Sequence, residues 1–105
     1  MAQAVLSTVE NPETATSIAR ALVSENLAAC VNIIPNMLSV YKWGGQLEEA
    51  GECLLIIKTA YDRIATLMSR LEQLHPYDVP EAICLEISQG LPAYLNWVND
   101  ETRPR

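Results

Sequence analysis

The sequence contains no phenylalanine and only one histidine, His75, among its 105 residues. Without Phe, the core must be filled by Leu, Ile, Val and Ala. Basic residues are also few: 7 Lys and Arg stand against 13 Asp and Glu, a net charge of −6. Phosphate backbones are bound by Lys and Arg gathered on one face. Here Arg20, Lys42, Lys58, Arg63 and Arg70 are scattered, and Arg103 and Arg105 lie at the tail. Nucleic acid and anionic membranes are therefore excluded as expected partners. No apolar run approaches the ~20 residues of a membrane span. Four glycines include no GxGxxG and no Walker A pattern, so no phosphate cradle is expected. There is no CxxC pair, no His pair and no GxSxG, which leaves no nucleophile–base pair and points away from an enzyme. Met1-Ala2-Gln3 shows no basic leader or cleavage site, so the expected compartment is the cytoplasm.

What is present is a chain able to fold. Half of its residues are hydrophobic and 19 % are charged, which excludes wholesale disorder. At this length one domain is expected, covering residues 1–105. Surface scaling gives ~5,800 Å² exposed when folded against ~16,800 Å² unfolded, enough burial for one core. Cys30, Cys53 and Cys84 each sit in an apolar run and read as buried free thiols.

The hydrophobic pattern alternates strands and helices. Ala4–Val9 reads as a strand. Asn11-Pro12-Glu13 caps and starts a helix whose apolar face is Ala15, Ile18, Ala19 and Leu22, ending at Glu25-Asn26. Three strand segments follow: Leu27–Ile34, closed by Pro35-Asn36; Leu38–Trp43, reaching a turn at Gly44-Gly45; and Glu52–Thr59. Thr59-Ala60-Tyr61-Asp62 resembles a capping box and opens a second helix with Ile64, Leu67, Met68, Leu71 and Leu74 on its buried stripe. Glu81–Ile87 is the last strand, and a short helix begins at Gly90-Leu91-Pro92. The order β-α-β-β-α-β-α fits an α+β class: a ferredoxin-like split βαβ fold (βαββαβ) with a short C-terminal helix. Both main helices of that fold cover one sheet face. Yet Leu27–Ile34 and Glu52–Thr59 are apolar on both faces, and Tyr41, Trp43, Tyr94 and Trp97 sit at element ends. A second apolar face needs a partner, so Tyr41, Trp43 and Trp97 are oligomer-interface candidates.

Few residues can carry chemistry. His75 suits acid–base work or a transition metal, although a single His before Pro at a helix end also serves as a structural group. The segment His75-Pro76-Tyr77-Asp78-Val79-Pro80-Glu81 gathers four polar groups in a loop stiffened by two prolines. It reads either as a binding loop or as a helix-to-strand connector. Glu48, Glu49 and Glu52 form an acidic cluster, expected to be a solvated hairpin end with weak divalent-cation binding as its other reading. Lys58 ends an apolar strand and is expected near a cleft.

Four longer motifs carry a resemblance. Leu27-Ala-Ala-Cys-Val-Asn-Ile-Ile-Pro35, Ser39-Val-Tyr-Lys-Trp-Gly-Gly45, Ile56-Ile57-Lys58-Thr59 and the 75–81 loop, with Tyr94-Leu95-Asn96-Trp97, resemble the divalent-cation tolerance family, CutA, in order and spacing. The resemblance implies a cytoplasmic homotrimer of ferredoxin-like subunits. It further implies a role in tolerance of copper and other divalent cations by binding, with no established catalysis. The family's proposed copper ligands are a first-strand cysteine and a His-His pair before Pro-Tyr. They fall on Ser7, Leu74 and His75, so only His75 matches, and a weak copper site is what the resemblance leaves. No other cofactor is implied. The similarity in architecture to PII nitrogen-signalling trimers gives an alternative, a scaffold that binds a small ligand in clefts between subunits. Lys58, His75, Tyr77 and Glu81 would line such a cleft.

Overall fold

The computed structural model describes residues 1–104; Arg105 lies outside the described residues. Strand β1 (Ala2–Val9) leads to helix α1 (Pro12–Ser24), and strands β2 (Cys30–Trp43) and β3 (Gln46–Ala60) form a long hairpin. A 3₁₀ turn (Tyr61–Arg63) enters helix α2 (Ile64–Leu74), followed by the short strand β4 (Ile83–Glu86) and helix α3 (Pro92–Glu101). The sheet is antiparallel throughout, in the order β2-β3-β1-β4. This is the ferredoxin-like α+β arrangement expected from the element order.

Helix α1 starts as its sequence dictates. The Asn11 side chain accepts a hydrogen bond from Thr14 N at 2.8 Å, and Pro12 occupies the first turn. It stops where Asn26 takes a left-handed conformation, φ 60°. Helix α2 differs from expectation. Thr59 forms no cap: its hydroxyl is buried and donates to the Leu27 carbonyl at 2.7 Å, tying β3 to the stretch between α1 and β2. The helix is entered through the 3₁₀ turn instead, with no side-chain cap.

The two strand segments expected on either side of Pro35-Asn36 are one strand. Register slips between Ile34 and Met37, where Ile34 faces Leu54 and Met37 faces Glu52. Three residues of β2 thus span two of β3, which defines a bulge. Asn36 supplies its left-handed backbone at φ 60°, and Pro35 is tolerated because β2 is an edge strand. The sheet accordingly has four strands, the number the β-α-β-β-α-β-α order requires. The hairpin closes at Gly44 and Gly45, with φ 58° and 80°, the doubly positive geometry of a type I′ turn.

Alternation along the strands separates two faces. Val5 and Val9 of β1 and Cys53, Leu55 and Ile57 of β3 pack against Ala15, Ile18 and Leu22 of α1 and Leu67 and Leu71 of α2. Each fully buried Leu or Ile here is worth about 1.5–3 kcal/mol. The opposite face carries Leu6, Ile34, Leu54, Ile56, Ile83 and Leu85, and α1 and α2 do not reach it. Helix α3 covers one end of it, where Val98 and Leu95 pack on Ala2 and Ala29. Arg103 fastens that helix by a two-armed ion pair to Asp62, both contacts at 2.8 Å.

Beyond the end of β1, the β2–β3 hairpin continues without a third strand. Leu38, Val40, Trp43 and Leu47 on this arm are exposed. The arm explains why the molecule is extended: its radius of gyration is 14.2 Å, against ~13 Å for a compact chain of this length. Its accessible surface is 6462 Å², about a tenth above the ~5,800 Å² scaling value. No helix among the described residues is long and apolar enough to cross a membrane.

Candidate functional site

The bulge decides which side chains meet. Before it, Cys30, Asn32 and Ile34 point to the open face. One extra residue inverts the alternation, so beyond it Ser39, Tyr41 and Trp43 join that same side. Their partners in β3 are Ala50, Glu48 and Gln46, on the face shared with Glu52. Glu52 is the first residue of β3 past its pairing with β1, which ends at Val9 and Cys53. There the 76–81 loop takes over from β1. Arm and loop enclose a cleft of about 820 Å³, lined among others by Thr8, Ser39, Tyr41, Trp43, Glu52, Tyr77, Asp78 and Glu81.

His75 holds the loop in place. Its Nε2 lies 2.8 Å from the Thr8 carbonyl and its Nδ1 accepts from Tyr77 N at 3.2 Å. An imidazole with its proton on Nε2 satisfies both bonds. The ring is buried and meets Tyr77 edge-on at 4.6 Å between centroids. Tyr77 then donates its hydroxyl to Glu52 Oε2 at 2.7 Å. Burial first, and then the hydrogen bond to and charge of Glu52, drive the Tyr77 phenol far above its ordinary pKa. The phenol therefore remains a donor across the whole neutral range.

The cleft between arm and loop gathers some of the residues that the sequence singles out and not others. Tyr77 and Glu81 line the cleft together with Tyr41 and Trp43. Lys58 does not: it sits on the open face, facing Ala4 and Cys30, and donates to Asn32 Oδ1. Trp97 lies on α3 against Tyr94, ring centroids 5.6 Å apart, and away from the cleft. Glu52 was expected to be solvated with Glu48 and Glu49. Those two are exposed, but Glu52 is 9 % exposed because Tyr77 covers it. Its one sequence signal was its place at the head of the apolar Cys53–Ile57 run. Of the three cysteines, Cys53 is buried as expected. Cys30 is half-buried, and Cys84 is exposed on edge strand β4, its thiol 3.2 Å from Gln3 Oε1. Burial raises the Cys84 pKa, and Glu86 adds to the effect.

The positions of the family's copper ligands do not offer three donors. Leu74 has none, and Ser7 Oγ is buried without a hydrogen-bond partner. Both ring nitrogens of His75 are held by main-chain groups. Among the described residues no group of three or more His, Cys, Asp or Glu is placed to hold a metal ion.

Comparison with known proteins places this geometry. A family model described as CutA1 divalent ion tolerance protein matches residues 3–101. The divalent-cation tolerance protein CutA of Thermus thermophilus is 46% identical over 102 residues, covering 97% of this chain and 99% of that one. The CutA homolog of Xenopus laevis is 50% identical over 93 residues, covering 89% of this chain and 62% of its own length. A solved structure of the Thermus thermophilus protein matches with a TM-score of 0.95 at 46% identity, covering 98% of this chain and 100% of that one. CutA from Xylella fastidiosa matches with a TM-score of 0.95 at 42% identity, covering 97% and 98%. These matches favour the divalent-cation reading over the PII-like alternative. With fold, sequence and almost the full length in agreement, the chain belongs to the CutA1 divalent ion tolerance family.

Proposed function

We propose that the protein acts in divalent-cation tolerance as a cytoplasmic homotrimer, by binding rather than by catalysis. The tolerance role follows the family. The observation that carries the assembly is the open sheet face. Ile34, Ile83 and Leu85 there are 46 %, 50 % and 49 % exposed, and Trp43 of the arm is exposed as well. Leaving such a surface in water is unfavourable, and further copies of the chain would bury it. Support for a binder comes from His75, whose ring nitrogens serve main-chain atoms rather than a reacting group. Three free cysteines suit a reducing compartment.

Copper binds weakly in this reading, because tight copper sites need several imidazole or sulfur ligands. Isothermal titration should give an affinity no tighter than micromolar per protomer, and Ser7→Cys with Leu74→His should tighten it. A nanomolar site in the unmodified protein, lost on His75→Ala, would contradict the reading. The role itself is tested in cells lacking the gene. Their sensitivity to divalent metals should be rescued by the wild-type chain and not by an assembly-deficient Trp43→Ala variant. Full rescue by a variant shown to be monomeric would overturn the assembly requirement.

A further inference from the structure

The arm is a lever whose weakest point is its root. From the Met37–Glu52 pair to the Trp43–Gln46 pair it is seven residue pairs long, about 20 Å at the ordinary strand rise. It has only two strands, because β1 stops at Val9, opposite Cys53. The bulge between Ile34 and Met37 falls at the same level, with Asn36 in the left-handed region at φ 60°. A bulge bends its strand and raises the local twist, and a two-stranded ribbon by itself is marginally stable. Leu38, Val40, Trp43 and Leu47 are exposed, so their packing does not hold the arm in one direction.

One side-chain bond crosses from the loop to that root. The Tyr77 hydroxyl donates to Glu52 Oε2 at 2.7 Å, and Glu52 is buried beneath it. Among the described residues no other hydrogen bond or ion pair joins residues 76–81 to the arm. The Tyr77 end is itself fixed. His75 is bonded to the Thr8 carbonyl and to Tyr77 N, and its ring meets the phenol edge-on. Pro76 and Pro80 restrict the backbone on either side. The connection therefore runs from the end of β1 through His75 and Tyr77 to the first pair of the arm. Leverage makes that connection matter. A swing of about 10° at the root displaces Trp43 by about 3.5 Å over this length, whereas the interface backbones of pre-organised complexes fit within ~1 Å. Fixing a contact segment beforehand lowers the ordering cost of association.

We propose that the 75–81 loop is a strap that sets the direction of the arm, with the Tyr77–Glu52 bond as its fastening, and so governs how tightly copies of the chain associate through Trp43. Tyr77 and Glu52 are positioning residues in this role and need not touch the neighbouring copy. The effect on association rests on the proposed assembly; the fastening of the arm does not.

The test pairs amide hydrogen exchange with sedimentation equilibrium on the full-length chain. Tyr77→Phe keeps the ring against His75 and deletes the fastening. Exchange is compared in a Trp43→Ala background, where weakened association leaves the arm's own opening visible. There Tyr77→Phe should speed exchange of the arm amides, residues 37–51, about fivefold, the factor that a hydrogen bond of ordinary strength sets. Exchange in α1 and β1 should not change. With Trp43 intact, Tyr77→Phe should raise the concentration needed for assembly by about fivefold or more. Glu52→Gln keeps an amide oxygen that accepts from the phenol, and should stay within about twofold of wild type in both readouts. Faster exchange confined to the arm, together with weaker assembly, supports the strap. Arm exchange that does not respond overturns it, as does faster exchange spread evenly over α1 and β1, the mark of a general stability contact. Faster arm exchange with assembly unchanged overturns the link to association. A wild-type chain that stays monomeric contradicts the proposed assembly instead, and the exchange comparison alone then decides the fastening.

Discussion

The two faces of the sheet are made of similar residues and meet different fates. On the helix side, Val5, Val9, Leu55 and Ile57 are fully buried under α1 and α2. On the other side, Ile34, Ile83 and Leu85 stand half in water, with α3 covering only the Ala2 end. Hydrophobic composition alone does not tell these faces apart; the partner does. The covered face fixes the fold of one chain, and the open face and arm are where further copies would add stability. An exposed patch of this kind is a feature to be explained, unlike scattered surface leucines.

Substitutions can separate the faces. The largest loss is expected at the closed face: Leu55→Ala should cost ~2–5 kcal/mol of folding stability, read by denaturant unfolding. Trp43→Ala on the arm should leave the chain folded but weaken assembly by ~2 kcal/mol or more, read by a concentration-dependent sedimentation profile. A comparable loss of monomer stability from both would erase the distinction.

Smaller effects probe the joints between arm, loop and helices. Tyr77→Phe removes the hydrogen bond to Glu52 and should cost ~1 kcal/mol. It should also change the alkaline limb of stability. Tyr77 has its folded pKa raised above the ordinary 10.0, so the unfolded chain loses this proton first. The contribution is intact below that value and falls as the pH climbs above it. Unfolding followed from pH 8 to 11 should show a shallower alkaline decline in the Phe variant. The smallest effect is expected at Asp62→Asn. The Arg103 hydrogen bonds hold the Asp62 carboxyl below its ordinary pKa, but the pair is exposed, and solvent screening leaves such pairs little effect on stability. Raising salt should shrink the difference between wild type and variant further.

Much of the fold was legible because local signals and burial agree. Asn11 capped where expected, and the apolar spacing of α1 and α2 gave the buried stripes. Pro35-Asn36 misled because a proline followed by a residue tolerant of positive φ reads as a turn. On an edge strand the same pair makes a bulge and leaves the strand whole. That bulge sets the face on which Tyr41 and Trp43 lie, a consequence of register that no single residue announces. The site was half legible. The 75–81 loop was marked by its prolines and polar groups. Glu52 was not, since its burial comes from Tyr77, 25 residues away in sequence. Lys58, read as a cleft residue from its strand end, stands opposite Cys30 on the open face, outside the cleft between arm and loop.

The central claim is that copies of the chain cover the open face. Sedimentation equilibrium of the untagged, full-length protein at micromolar concentration measures this directly. The account predicts one species of three times the 11.6 kDa chain mass, shifting toward smaller species with Trp43→Ala. A wild-type protein that remains at 11.6 kDa across that range would contradict it.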